Sequence, residues 1–315
     1  MLIEFFLLLL GLALVVVGAD YLVDGSSAIA RRMGISEFVI GLTIVGMGTS
    51  APEMVVSLIG AVQGNGDIAV GNVLGSNIFN TLLILGVTAL ILPMDILREN
   101  RGRDIPMNLA GTLILIGLGL WGMGLSRIDG AVLLALFIAY MWYCFRSGKD
   151  TVSPASEAVS EEKSPALWLA CLMVAGGLAA LVVGGRWFVN SATALAGRLG
   201  ISDKFVAITI LAGGTSLPEL ATCIAAAVKK KGQLALGNII GSNLFNILLI
   251  LGGSALIHPL SFQDISYIDL GALLVSALAL CSCLVVGRRN QLDRLDGACF
   301  VALWLAYMTY LIIQL

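Results

Sequence analysis

The chain has 315 residues, 58% hydrophobic and 12% charged, where soluble domains run at roughly 45–50% and about 25%, so a water-soluble globular fold is excluded. A formal net charge of −2 supplies neither the basic surface of a nucleic-acid binder nor a polybasic lipid-surface patch. No polar stretch is long enough to form a soluble domain.

Apolar stretches of roughly 20 residues, enough to cross a ~30 Å hydrocarbon core, recur with short polar breaks. Ten spans are expected, at 2–30, 37–62, 68–92, 104–124, 128–146, 165–196, 203–228, 234–257, 264–287 and 295–314. The first lacks a basic leader and a small-residue cleavage site, so it is expected to stay in place. The second contains G-T-S-A-P-E at 48–53, and the third contains G-N-V-L-G-S-N-I-F-N at 71–80. A Ser-, Glu- and Pro-rich stretch at 147–164 follows the fifth. The seventh contains G-T-S-L-P-E at 214–219 and the eighth G-N-I-I-G-S-N-L-F-N at 237–246. Cys144, Cys171, Cys223, Cys281, Cys283 and Cys299 lack metal-ligand spacing and read as small buried hydrophobes.

The two sets of motifs belong to an internal repeat. Residues 34–93 set above 200–259, without a gap, give 30 identical pairs out of 60. R-I-D-G-A at 127–131 again matches R-L-D-G-A at 294–298. The expected architecture is an all-α membrane protein: a five-helix repeat at 1–146, an inner linker at 147–164 and a second five-helix repeat at 165–315. Five spans per half, an odd number, place the second copy upside down relative to the first. With the amino terminus outside, 14 of the 18 basic residues fall in inner loops and only Arg127, Arg198 and Lys204 in outer ones. That bias predicts both termini outside.

Glu53 and Glu219 stand near the bilayer centre, where a charge costs about 2.5–3.5 kcal/mol on insertion scales, so such residues face a cavity or a partner. A merely structural contact is disfavoured, because a costly acid recurs at the repeat-equivalent position. Pro52 and Pro218 each remove a helical donor, freeing carbonyls around Gly46 and Thr49 and around Ala212 and Thr215; simple packing kinks are the alternative. Hard cations want oxygen ligands, and Ca2+ takes six to eight. Carboxylates, carbonyls and the hydroxyls of Ser50 and Ser216 supply such a set. Ser76 and Asn80, like Ser242 and Asn246, lie four residues apart on one helix face and can complete it.

Gly71, Gly75, Gly237 and Gly241 read as close helix packing. Asn72, Asn77, Asn238 and Asn243 fit either interhelical hydrogen bonding or ligation. Asp129 and Asp296 read as helix-terminal charges, and Asp20, Asp24 and Arg186 as interfacial. The single histidine, His258, stands near a span end.

The paired G-T-S-x-P-E and G-S-N-x-F-N blocks in two inverted halves resemble the cation/calcium antiporter superfamily, and its short prokaryotic sodium/calcium exchangers in particular, over essentially the whole chain. The resemblance implies Glu53 and Glu219 as central ligands, Thr49, Ser50, Thr215 and Ser216 with the carbonyls of Gly46 and Ala212 as Na+ and Ca2+ ligands, and Ser76, Ser242, Asn80 and Asn246 as completing the site. Some exchangers of this type carry aspartate where Asn246 stands; this site holds two formal negative charges rather than three. Ala51 replaces the usual Leu of the first motif.

The expectation is a secondary transporter, not an enzyme, exchanging Ca2+ for Na+ by alternating access. It would work as a monomer in a bacterial inner membrane and use no cofactor. The alternative keeps the fold and exchanges Ca2+ or another divalent cation for H+, since buried glutamates can titrate near neutrality. An intramembrane serine hydrolase is disfavoured, because only the glutamates could serve Ser50 or Ser216 as base.

Overall fold

A computed structural model of the protein describes residues 2–122, 124–147, 165–199, 212–262, 265–285 and 290–314. In the first half, α1 (Leu2–Met33) is followed by α2 (Glu37–Thr49), α3 (Ala51–Val62), α4 (Gly66–Ile91), α5 (Asn100–Gly122) and α6 (Arg127–Ser147). In the second, α7 (Leu167–Arg198) and a helical turn at Ala212–Gly214 precede α8 (Leu217–Val228), α9 (Gly232–Ile257), α10 (Tyr267–Ser282) and α11 (Arg294–Ile313).

Among the described residues, seven helices are long and apolar enough to cross a membrane, and α2 with α3 makes an eighth, bent by 49°. The shorter apolar helices α8 and α10 occupy the positions of the seventh and ninth expected spans. The front of the seventh span, at 203–211, and nearly all of the linker at 147–164 lie outside the described residues, as do Lys149, Lys163, Lys204, Arg288 and Arg289.

The bend is local chemistry. Helix α2 stops at Ser50, whose ψ of 8° is not helical, and α3 restarts with Pro52 in its first turn, where the missing N–H has no helical partner to lose. Ser216 repeats the geometry with ψ of 8°, and Pro218 opens α8 in the same way.

Helices α9 and α4 form the centre: 94% of the apolar window of α9 is buried and 67% of that of α4, against 11% for α11. Helix α9 seats backbone to backbone on α2, because a Cβ at Gly237 or Gly241 would collide with the Phe38 or Leu42 carbonyl. The repeat-equivalent partners of Gly71 and Gly75, at 204 and 208, lie outside the described residues.

Helices α1 and α7 pack antiparallel along their lengths, Gly11 against Gly184 and Gly18 against Gly177, which follows from inversion of the halves. Arg198 and Glu4 pair at one end of this couple, and Arg32 donates to the Pro165 carbonyl at the other. Ion pairs tie α1 to the turn after α8: Lys229 reaches Asp20 at 2.5 Å and Asp24 at 2.8 Å, and Lys231 reaches Asp24 at 3.3 Å. Partial burial works against the Lys229 ammonium, but the hydrogen bonds and charges of Asp20 and Asp24 outweigh it and raise its pKa.

An all-helical reading leaves out four two-residue strands, β1 (Met94–Asp95), β2 (Gly124–Leu125), β3 (Leu260–Ser261) and β4 (Gln291–Leu292). They form two antiparallel pairs, β1 with β4 and β2 with β3. Each pair joins a loop of one half to a loop of the other, and inversion puts the two loops of each pair on the same side.

A Cβ at Gly18 would stand 2.8 Å from the Gly177 carbonyl oxygen, so a larger residue must force α1 and α7 apart. Gly18→Leu is expected to destabilise the protein by about 1–3 kcal/mol, the usual cost of overpacking, read as earlier thermal unfolding in detergent.

Candidate cation-binding site

The two helix breaks face each other and put both acidic residues in first helical turns, Glu53 in α3 and Glu219 in α8. Both are fully buried. Their bonds are exchanged between the halves: Ser50 Oγ donates to Glu219 Oε1 at 2.9 Å, and Ser216 Oγ donates to Glu53 Oε1 at 3.1 Å. Each carboxylate therefore rests on the serine three residues ahead of the other. Among the described residues, neither is paired with lysine or arginine.

The central helices supply the rest. Ser76 Oγ on α4 donates to Glu53 Oε1 at 3.4 Å, while its counterpart Ser242 on α9 donates to the Gly46 carbonyl at 3.3 Å. The Gly46 carbonyl is not freed by Pro52, because it also accepts the Ser50 N–H at 3.1 Å. The proline deprives the carbonyl four residues before it, that of Gly48, so the expectation of a bare Gly46 carbonyl is corrected. Thr49 is buried at the break, its one hydroxyl proton shared between Val45 O at 3.0 Å and Asn238 Oδ1 at 3.2 Å. Thr215 is half-buried beside Ser216. Ala212 lies one turn ahead of the second break, and only its backbone is described.

Asn80 and Asn246 sit in widened, π-helical stretches of α4 and α9, at Phe79–Ile84 and Phe245–Leu251. Such turns interrupt an α-helix and concentrate at functional sites. No residue type announces them, and the sequence gives no sign of them.

The asparagines left open by the sequence take the hydrogen-bonding role. Asn246 Nδ2 donates to Asn77 Oδ1 at 2.9 Å, and Asn80 Nδ2 donates to Asn243 Oδ1 at 3.3 Å. Asn77 and Asn243 are anchored in turn on the Asn243 carbonyl and on Thr81. Asn72 holds the Glu53 carbonyl and Ser57, while Asn238 donates to the Cys223 sulfur. Cys223 thus accepts a bond besides filling space.

With each amide nitrogen committed to an asparagine of the other half, the amide oxygens are left over. Among the described residues, Glu53 Oε2, Glu219 Oε2, Asn80 Oδ1 and Asn246 Oδ1 are all buried without a hydrogen-bond partner. A buried acceptor left unmet costs about 1–3 kcal/mol, and more if charged. Two carboxylates and two amides with their donors turned away present oxygen alone, the chemistry of a hard-cation site. Among the described residues no cluster of three or more His, Cys, Asp or Glu exists to hold a metal ion.

Residues set aside in the sequence stay apart. Asp129 accepts from the Ser126 N–H and hydroxyl at the start of α6, and Asp296 forms a capping box with Asp293 at the start of α11. His258 is exposed at the end of α9.

Comparison with known proteins bears on the family and the fold. The profile of the family described as sodium/calcium exchanger protein matches residues 3–146 and 169–313. The chain is 39% identical over 319 residues to the putative antiporter CaxA of Alkalimonas amylolytica, covering 98% of each. It is 41% identical to the inner membrane protein YrbG of Escherichia coli (strain K12), covering 83% of this chain and 82% of that one. The solved structure of the sodium-calcium exchanger NCX_Mj, from crystals soaked with Na+ and Ca2+, superposes with a TM-score of 0.85 at 33% identity over 98% of both chains. This chain belongs to the sodium/calcium exchanger protein family and is a multi-pass membrane cation antiporter, not an enzyme.

Proposed function

We propose that the protein exchanges Ca2+ for Na+ at this one site, as a monomer in a bacterial inner membrane with both termini outside. The observation that carries the reading is the set of four buried, unpartnered oxygens on Glu53, Glu219, Asn80 and Asn246. Hydroxyls of Thr49, Ser50, Ser76, Thr215, Ser216 and Ser242 and the carbonyls of Gly46 and Ala212 extend the set toward the six to eight oxygens Ca2+ takes. The names borne by YrbG and NCX_Mj agree with that location and those ions.

Coupling follows from charge. Two desolvated carboxylates without a cationic partner cost several kcal/mol each after relaxation, so the empty site resists closing into hydrocarbon. One Ca2+ or two Na+ cancel the same two charges. A site that closes only when loaded, and whose loads compete for the same oxygens, returns one ion for the other.

Access alternates when the α1–α7 couple moves against the core, the five-helix halves at 1–146 and 165–315 being joined by the inner linker at 147–164. The ion pairs from Lys229 and Lys231 to Asp20 and Asp24 hold α1 at one end of that path. Partly solvated pairs at the protein surface are worth about 0–1 kcal/mol each, weak enough to break in every cycle.

The test is Ca2+ flux into proteoliposomes under Na+, H+ or K+ gradients imposed one at a time. Flux driven by Na+ alone is expected; flux driven only by H+ would replace the reading with proton exchange. Glu53→Gln and Glu219→Gln are each expected to reduce flux to that of empty vesicles and to abolish thermal stabilisation by Ca2+. In the unaltered protein that stabilisation is about 2.7 kcal/mol at a hundred times Kd. Asn246→Asp adds a third negative charge and is expected to tighten Ca2+ binding, so that more Na+ is needed to displace Ca2+ in equilibrium binding.

A further inference from the structure

Away from the cation site, α5 and α6 leave a groove of about 450 Å3 open to the outside of the helix bundle. Its walls include Met107, Ala110, Leu136 and Ala139, and Arg103 and Tyr143 stand at one end. Helices α10 and α11 leave a second groove of about 350 Å3, lined by Ile268, Ala272, Val275 and Leu303.

The grooves are copies of one another. Tyr140 Oη donates to Asp104 Oδ1 at 2.8 Å beside the first, and Tyr307 Oη donates to Asp269 Oδ1 at 2.7 Å beside the second. Aligned on these bonds, Met107 matches Ala272, Ala110 matches Val275 and Leu136 matches Leu303. Inversion puts the two grooves in opposite leaflets.

They differ in charge. Arg103 of the first is replaced by Ile268 in the second, and Arg146 by Ile313. The Arg103 guanidinium gives Nε and Nη2 to Asp104, at 2.6 and 3.1 Å, and lies 5.6 Å from the Tyr143 ring centre. Among the described residues its Nη1 carries no bond. Arg146 is exposed one turn beyond Tyr143, its guanidinium 5.3 Å from the Trp142 ring centre. Residues 98–104 place three arginines against two acids at this end of α5.

We infer that the α5–α6 groove holds one acyl chain of an anionic phospholipid, whose phosphate meets Arg103 Nη1 and Arg146, and that the α10–α11 groove has no preference for anionic lipid. The fork of Arg103 is spent on Asp104, so the phosphate takes the remaining Nη1 and the exposed Arg146; such charge-assisted bonds are strong, and the planar, weakly hydrated guanidinium tolerates the edge of the hydrocarbon. The apolar walls fit the chain, and the charge selects the headgroup.

Native mass spectrometry of the detergent-purified protein, titrated with phosphatidylglycerol or phosphatidylcholine of identical chains, tests this. Preferential retention of one phosphatidylglycerol is expected. Arg146→Ile, which gives the first groove the residue of the second at an exposed position, is expected to weaken that retention about fivefold, the effect of one arginine near a charged surface. Ala139→Trp fills the groove from a residue that takes no part in the Asp104 bonds and is expected to abolish the preference, whereas Leu303→Trp in the second groove leaves it unchanged. Equal retention of the two lipids, or a phosphatidylglycerol preference that survives both Arg146→Ile and Ala139→Trp, would overturn the inference.

Discussion

Two carboxylates buried in a membrane, with no cationic partner among the described residues, are the constraint that organises this molecule. Desolvation alone would make Glu53 and Glu219 among the most costly residues in the chain. The surrounding described structure meets half of their need: one oxygen of each accepts a serine hydroxyl from the opposite half, and among the described residues the other oxygen accepts nothing. A site completed by its own donors would be stable empty. This one is left short of positive charge, which is what the proposed cation load would supply.

Duplication and inversion explain how such a site is assembled from one motif. Each half contributes a broken helix and a central helix, and the bonds that fix the site run between halves: Ser50 to Glu219, Ser216 to Glu53, Asn80 to Asn243 and Asn246 to Asn77. Neither half has a complete site alone. The same symmetry exposes where the halves have diverged. Ser76 serves a carboxylate where Ser242 serves a backbone carbonyl. Asp20 and Asp24 are paired with lysines, whereas their counterparts at 186 and 190 are Arg and Asn, and Arg103 and Arg146 have isoleucines as counterparts. The chemistry at the centre is close to symmetric; the surfaces that meet the two sides of the membrane are not.

Much of this is written in local sequence. Hydropathy places the helices because the bilayer permits little else than a satisfied backbone, and Pro52 and Pro218 mark the breaks because proline restarts a helix. The acids are legible because the cost of burying them makes them conspicuous. Features set by pairing over distance are not. The π-helical stretches carrying Asn80 and Asn246 have no compositional signal, and the Lys229–Asp20 contact joins residues 209 apart along the chain. Sequence also misassigned a carbonyl: Pro52 removes the donor for Gly48, and Gly46 keeps its helical bond from Ser50. The roles of Asn77 and Asn243 stayed open because an amide can bond to a neighbour or to an ion, and only the partner's position decides.

The central claim is that the four unpartnered oxygens hold the transported ion together. Diffraction from crystals of this protein equilibrated with Ca2+ tests it most directly. The expected result is one strong anomalous peak at roughly 2.3–2.6 Å, the Ca2+–oxygen distance, from Glu53 Oε2 and Glu219 Oε2, which fades as Na+ replaces Ca2+. A Ca2+ peak ligated by other residues, or one at this site that Na+ does not displace, would contradict the account.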